Sequence, residues 1–221
     1  MEIEANMHTL ENWGHRQGAL VRRYPVTIGI AAIVAGIGLA TQHNTRAQMH
    51  RLMARFGMTW ADIADFRLWP ISVSTFMQSD PGFPWLILFF VLTSLFALET
   101  LAGSAAALIT FIASDWISSP LTEILLKGLA LLGNQEARGL LTAGSTGSSA
   151  AFHGAFAAAA MLLPRRWSKW IVVVMIGVVI FQFAFERLDN SIAHALATFI
   201  GAALAHFVWR PRMEKKATAP Q

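Results

Sequence analysis

Long runs of apolar residues, nearly free of charge, fix the solvent in which this chain folds before any other feature is considered. Tyr24 to Ala40 reads YPVTIGIAAIVAGIGLA and Pro84 to Leu98 reads PWLILFFVLTSLFAL. A hydrocarbon core about 30 Å thick is crossed by a helix of roughly 20 apolar residues, with roughly 17 as the usual minimum. Four further runs follow, from Gly103 to Leu126, Ser148 to Leu163, Trp170 to Phe185 and Ser191 to Val208. In lipid every backbone polar group must be bonded within the protein, so a span is a helix or part of a closed barrel. Solid apolar runs without period-2 alternation select helices. The expected fold is therefore an all-α polytopic membrane protein of six transmembrane helices. Its membrane domain covers 24–209, between an N-terminal tail, 1–23, and a C-terminal tail, 210–221, both polar.

Composition agrees with the pattern. Charged residues make up 14% of the chain and the mean hydropathy is +0.49, whereas a soluble domain carries about 25% charge. A disordered chain, a coiled coil and a disulfide scaffold are excluded. There is no cysteine, which removes thiol nucleophiles, thiolate-bound metals and disulfides together. Any metal site would rest on histidines and carboxylates, and with only His153 and His194 plausible as intramembrane ligands, no metal site and no cofactor are expected. The net charge of +4 invites a nucleic-acid reading. Yet the basic residues stand at the ends of apolar runs, where anionic headgroups attract Lys and Arg. The expected partner is the lipid bilayer, not nucleic acid.

Those basic residues also orient the spans. One side collects Arg16, Arg22, Arg23, Arg165, Arg166, Lys169, Arg210, Arg212, Lys215 and Lys216. The other side has Arg46, Arg51, Arg55, Arg67, Lys127, Arg138 and Arg187, spread over more loop and mixed with acidic residues. The rule that cytoplasmic loops are rich in Lys and Arg places both termini in the cytoplasm of an integral, multi-pass membrane protein. The first run is preceded by Glu2, Glu4 and Glu11 and followed by no clear cleavage site, so it reads as a permanent helix. Between the first two runs, Leu52, Phe56, Met58, Ile63, Phe66 and Trp69 recur at helical spacing among Arg and Asp, which predicts short interfacial helices.

With this topology the second, fourth and sixth helices run from outside to inside, and their first turns share a depth. The fourth opens with Gly144-Ser-Thr-Gly147-Ser148-Ser149, then His153 and Gly154; the sixth opens with Asp189-Asn-Ser-Ile-Ala193-His194. Small residues between membrane helices are a common packing device, and a lone histidine is more often a hydrogen-bonded packing residue than a catalyst. Together, however, they place a hydroxyl and an imidazole at one level inside the outer leaflet. A hydroxyl is a poor nucleophile until a base is in contact with it, and imidazole is the usual base near neutral pH. Ser149 and His194 are the candidate pair.

These residues resemble the rhomboid intramembrane serine proteases. Gly147-Ser148-Ser149, with Gly154 seven residues after Gly147, is similar to that family's G-x-S motif at the start of its fourth helix. Ala193-His194, Ala197 and Gly201 are similar to its motif in the sixth. Leu98-Glu99 followed by Gly103-Ser104 is similar to its L-E-x-x-x-G-S step from the second helix into the third. The similarity runs from about residue 66 to 209. It implies a six-transmembrane-helix rhomboid-like bundle, a serine endopeptidase cutting transmembrane protein substrates, Ser149 as nucleophile, His194 as base, Gly147 in the supporting loop and no cofactor.

Departures accompany the likeness. Where active members carry a histidine and an asparagine for the oxyanion, this chain has Phe83 and Ile87, neither of which donates a hydrogen bond. Gln78 or Ser79 is the candidate substitute, with the Ser149 amide as a second donor. Ala150 stands where glycine is usual, and the Trp-Arg pair of the family's first loop is not evident. His153 stands where the family has an aromatic ring beneath the catalytic histidine; it either competes as base or hydrogen-bonds a neighbouring helix. These departures keep a second reading open, a rhomboid-like pseudoprotease that binds or escorts membrane-protein clients. A small transporter would show paired, Gly/Pro-interrupted spans in related halves, which are absent from the sequence.

Asp115, midway along the third run, and Glu99, at the cytoplasmic interface just after the second, call for a structural reading. Asp115 shares a helical face with Ser118, Ser119 and Thr122; it is either neutral or bonded to a polar group on the fourth helix. Glu99 is expected to link helices as an acceptor rather than to act as an acid.

Overall fold

The computed structural model describes residues 19–78, 82, 84–144 and 148–218. Among these residues all regular structure is helical. Three helices are long and apolar enough to cross a membrane: α5 (Trp85–Ala102), α9 (Arg165–Phe185), and α10 (Leu188–Leu204) with its continuation to Lys215. The molecule is thus an α-helical protein built for a bilayer. Two apolar helices are shorter, α1 (Pro25–Thr41) and α8 (Ser149–Leu162), while α6 (Ser104–Leu131) is 28 residues long and carries Asp115, Glu123 and Lys127.

The segment between α1 and α5 folds into three short helices, α2 (Arg46–Phe56), α3 (Trp60–Ala64) and α4 (Trp69–Ser74), as the spacing of its apolar residues predicts. Thr45 and Thr59 start α2 and α3 with reciprocal capping boxes to Gln48 and Asp62, each satisfying backbone donors that the helix itself leaves open. After α6 comes α7 (Gln135–Leu140), capped by Asn134.

Gly103 lets α5 turn directly into α6. Its φ of +87° lies in the left-handed region that favours glycine. One turn earlier, the buried Glu99 carboxylate accepts hydrogen bonds from the Val26 and Thr27 amides at 3.2 and 2.9 Å and from the Thr27 hydroxyl at 2.6 Å. It caps the start of α1, where unpaired N–H groups and the helix dipole both favour an anion. Glu99 is the helix-linking acceptor that the sequence reading expects.

The main core lies where α1, α5, α6 and α8 meet, around Val34, Leu95, Leu98, Phe111 and Ala155. The outward faces stay apolar. On α9 alone Val173, Val174, Ile176, Ile180, Phe181 and Phe183 are exposed, the arrangement expected where hydrocarbon is the solvent.

α8 and α10 interlock through glycine. A Cβ on Gly201 would lie 1.9 Å from the Gly154 carbonyl oxygen, and one on Gly154 would lie 1.9 Å from Ser114 Oγ. Only glycine at both positions permits this backbone approach.

Within the polar C-terminal tail, residues 210–218 continue the helix as α11 (Arg210–Thr218). Arg, Met, Glu, Lys and Ala are good helix formers, and cations suit a helix C-terminus. Between α10 and α11 a π-helical turn, Ala205–Trp209, widens the helix. Pro211 follows it; proline has no N–H to donate and crowds the preceding turn, the usual setting for such a defect. The turn directs Trp209 inward, where its indole N–H donates to Thr110 Oγ1 at 3.0 Å.

Candidate functional site

Ser149 is the first residue of α8, and His194 lies in the second turn of α10. The glycine interlock one to two turns below holds these two helix starts together. At the other end of that junction, the Leu188 amide donates to Glu136 at 3.1 Å, and Arg187 pairs with Asp189 at 2.7 Å. The entry into α10 is therefore fastened on both sides, which limits how far His194 can move relative to Ser149.

Both residues line one cavity of about 330 Å³. Its walls come from α5 (Leu86, Ile87, Phe90), α8 (Ser149, Phe152, His153), α9 (Val178, Gln182, Glu186) and α10 (His194, Thr198). Most of the lining is apolar. Against it stand buried polar atoms with no hydrogen-bond partner among the described residues: both ring nitrogens of His194, Oε1 of Gln182 and Oγ1 of Thr198. Unpaired buried polar groups are costly. A ligand supplying N–H and C=O groups would satisfy them.

Because both His194 nitrogens are unpartnered, no hydrogen bond joins Ser149 to His194 in this state. Catalytic contacts are often long in the ligand-free state and tighten when substrate is bound.

His153 is held at three points. Its ring stacks on His194 with centroids 4.1 Å apart and planes 14° from parallel. Its Nδ1 lies 2.8 Å from the Ser149 carbonyl oxygen, and its Nε2 lies 3.4 Å from the Gln182 amide nitrogen. A carbonyl only accepts, so Nδ1 carries the proton and Nε2 accepts from Gln182. Both nitrogens of His153 are thereby occupied, and Nε2 reaches a neighbouring helix, α9. The Phe152 ring also stacks on His153, centroids 4.5 Å apart.

The other residues singled out in the sequence fall elsewhere. The Gln78 amide donates to Ser148 Oγ at 3.4 Å, so it abuts the serine next to the candidate nucleophile. Ile87 forms part of the cavity wall and offers no donor. Gly147, Ser79 and Phe83 lie outside the described residues. Asp115 is bonded to Thr75 Oγ1 and, at 3.3 Å, to Ser119 Oγ. Its partner across the fold is the loop that follows α4, not the fourth apolar helix, and it is not among the residues that line the cavity. Sequence reasoning passed over Gln182 and Glu186. Their signal was a Gln and a Glu one turn apart at the end of an otherwise apolar run.

Comparison of the chain with protein-family models, with curated proteins and with solved structures found no match.

Proposed function

We propose that this protein is a rhomboid-like intramembrane serine endopeptidase, with six membrane helices (α1, α5, α6, α8, α9 and α10) and both termini cytoplasmic. The observation that carries the reading is that Ser149 and His194, on two helices interlocked through Gly154 and Gly201, face one cavity where both His194 nitrogens, Gln182 Oε1 and Thr198 Oγ1 lack partners among the described residues. The His153 ring beneath His194, where the family has an aromatic, adds to it.

The chemistry follows from those positions. A transmembrane substrate unwinds enough to present a peptide carbonyl in the cavity. Ser149 Oγ attacks the carbonyl carbon while its proton passes to a free ring nitrogen of His194, and the carbonyl electron pair moves onto oxygen. As the C–N bond breaks, the imidazolium returns that proton to the leaving nitrogen. Water, activated by the same imidazole, then releases the acyl group from Ser149 and regenerates the hydroxyl. The Ser149 amide, first in α8 and without an intrahelical acceptor, is one donor for the oxyanion. Ile87 supplies none, and removing one such donor lowers the rate by about 10²- to 10³-fold in a soluble serine protease. The enzyme is accordingly slow.

Purified protein in liposomes with a helical membrane substrate tests the reading over hours rather than minutes. Wild type cleaves, Ser149→Ala and His194→Ala do not, and Ser148→Ala keeps most of the activity. The apolar wall at Ile87 and the absence of a Ser149–His194 hydrogen bond favour a second reading, a pseudoprotease that binds transmembrane clients. Client binding by a folded wild type that never cleaves, unchanged by Ser149→Ala, establishes that reading in place of the first.

A further inference from the structure

Helix α9 offers little packing surface to the rest of the molecule; 11% of its apolar window is buried. Two of its polar side chains nevertheless turn inward, one helical turn apart, and each meets one of the two stacked imidazoles. Gln182 donates to His153 Nε2, and Glu186 places Oε2 3.7 Å from His194 Nδ1. Glu186 is the C-cap of α9, the residue just after its last turn. Its backbone is extended (φ −105°, ψ 170°) and its amide donates to the Gln182 carbonyl at 2.8 Å, which fixes where its Cα sits at the end of the helix. The adjacent cation, Arg187, is already taken by Asp189 at 2.7 and 3.2 Å. The Glu186 carboxylate is left facing His194.

We infer that Glu186 is the positioning carboxylate of a Ser149–His194–Glu186 triad, which α9 completes when it seats against α10. The inference rests on the serine-protease reading above and extends it by a residue that no motif in the sequence marks. A carboxylate at Nδ1 holds the imidazole in the tautomer with its proton on Nδ1 and its lone pair on Nε2, the atom free to take the Ser149 proton. It also stabilises the imidazolium formed in that step. At 3.7 Å the pair stands just beyond hydrogen-bond distance. An inward shift of a few tenths of an ångström at the end of α9 closes it, and the helix has little buried surface to resist such a shift.

Glu186→Ala in the full-length protein is the test, read by the rate of fluorophosphonate labelling at Ser149 and by peptide-bond cleavage. The expected result is a fall in kcat of about 10²-fold, the lower end of what a well-placed general base contributes, with KM unchanged. Glu186 is 38% exposed, so added formate reaches the vacated position and restores the rate, whereas chloride does not. Glu186→Gln, closer in shape, shows the same loss if the alanine form is poorly folded. Labelling of Glu186→Ala at the wild-type rate overturns the inference, and so does a loss that formate leaves unchanged. If wild type itself does not label, the protease reading fails separately. The ¹⁵N spectrum of His194 then decides: a proton on Nδ1 that is displaced in Glu186→Ala supports the contact, and an unchanged spectrum refutes it.

Discussion

His153 and His194 lie face to face, ring centroids 4.1 Å apart, and only His194 has free nitrogens. With its own nitrogens committed to Ser149 and Gln182, His153 serves the proposed site as a platform rather than as its base. His153→Phe keeps the stack and gives up two hydrogen bonds, each worth about 1 kcal/mol. The variant is expected to retain most of its fluorophosphonate labelling and to melt somewhat below wild type. Complete loss of labelling in a folded His153→Phe protein would assign the base to His153 instead.

The glycine interlock predicts a sharply local sensitivity. Gly201→Ala drives a methyl group into the Gly154 carbonyl, and backbone cannot yield as a side chain does. Overpacking of this kind costs about 1–3 kcal/mol. Gly29 and Gly177 have nothing within 4 Å of a built Cβ, so their alanine forms serve as controls. Thermal unfolding in detergent should rank Gly201→Ala well below both controls. Equal melting of all three would mean that α8 and α10 do not approach as described.

Asp115 is a fastening between α6 and the loop after α4. The Thr75 hydroxyl lies against both the Ile71 carbonyl, at 2.6 Å, and Asp115. In Asp115→Asn the new amide donates to Thr75 Oγ1, which then gives its one proton to Ile71. Thr75, Ile71 and Ser119 all keep a partner, so stability and labelling should stay close to wild type. Asp115→Leu leaves Ser119 without its acceptor and should lose about 1–3 kcal/mol. Abolished labelling in a well-folded Asp115→Asn protein would make this carboxyl part of the chemistry.

The topology is open to direct test because the chain has no cysteine. Single cysteines at Ala47 and Asn134, both exposed in loop-side segments, should react with an impermeant maleimide added to intact cells. One at Ala217 should react only after lysis. Labelling of Ala217→Cys from outside would invert the orientation and with it the outer-leaflet position of Ser149.

Much of this architecture is legible in the sequence because hydrocarbon leaves few choices: an apolar run must be a helix, and α1, α5 and α8 begin and end within a few residues of the runs that announce them. Glu99 and the glycines at 103, 154 and 201 are marked by the resemblance to the rhomboid motifs, and the small-residue packing of membrane helices gives the glycines a physical reason. The links carried by α9 are not legible. Gln182 and Glu186 sit where a span meets water, and polar residues there are ordinary; only their meeting with His153 and His194 in space gives them meaning. The partner of Asp115 was hidden likewise, because Thr75 lies 40 residues away in a loop whose path no periodicity reveals. The π-helical turn had one local cue, Pro211, which equally well reads as the end of the helix.

The central claim is that Ser149 is activated by His194, and covalent labelling by a fluorophosphonate measures activation itself, independently of any substrate. Mass spectrometry of the labelled wild type should find the adduct on Ser149. Ser149→Ala and His194→Ala should each abolish it, because members of one catalytic unit fail together, while Ser148→Ala should retain it. A folded wild type that takes up no label over hours, or a label that persists in His194→Ala, would contradict the account.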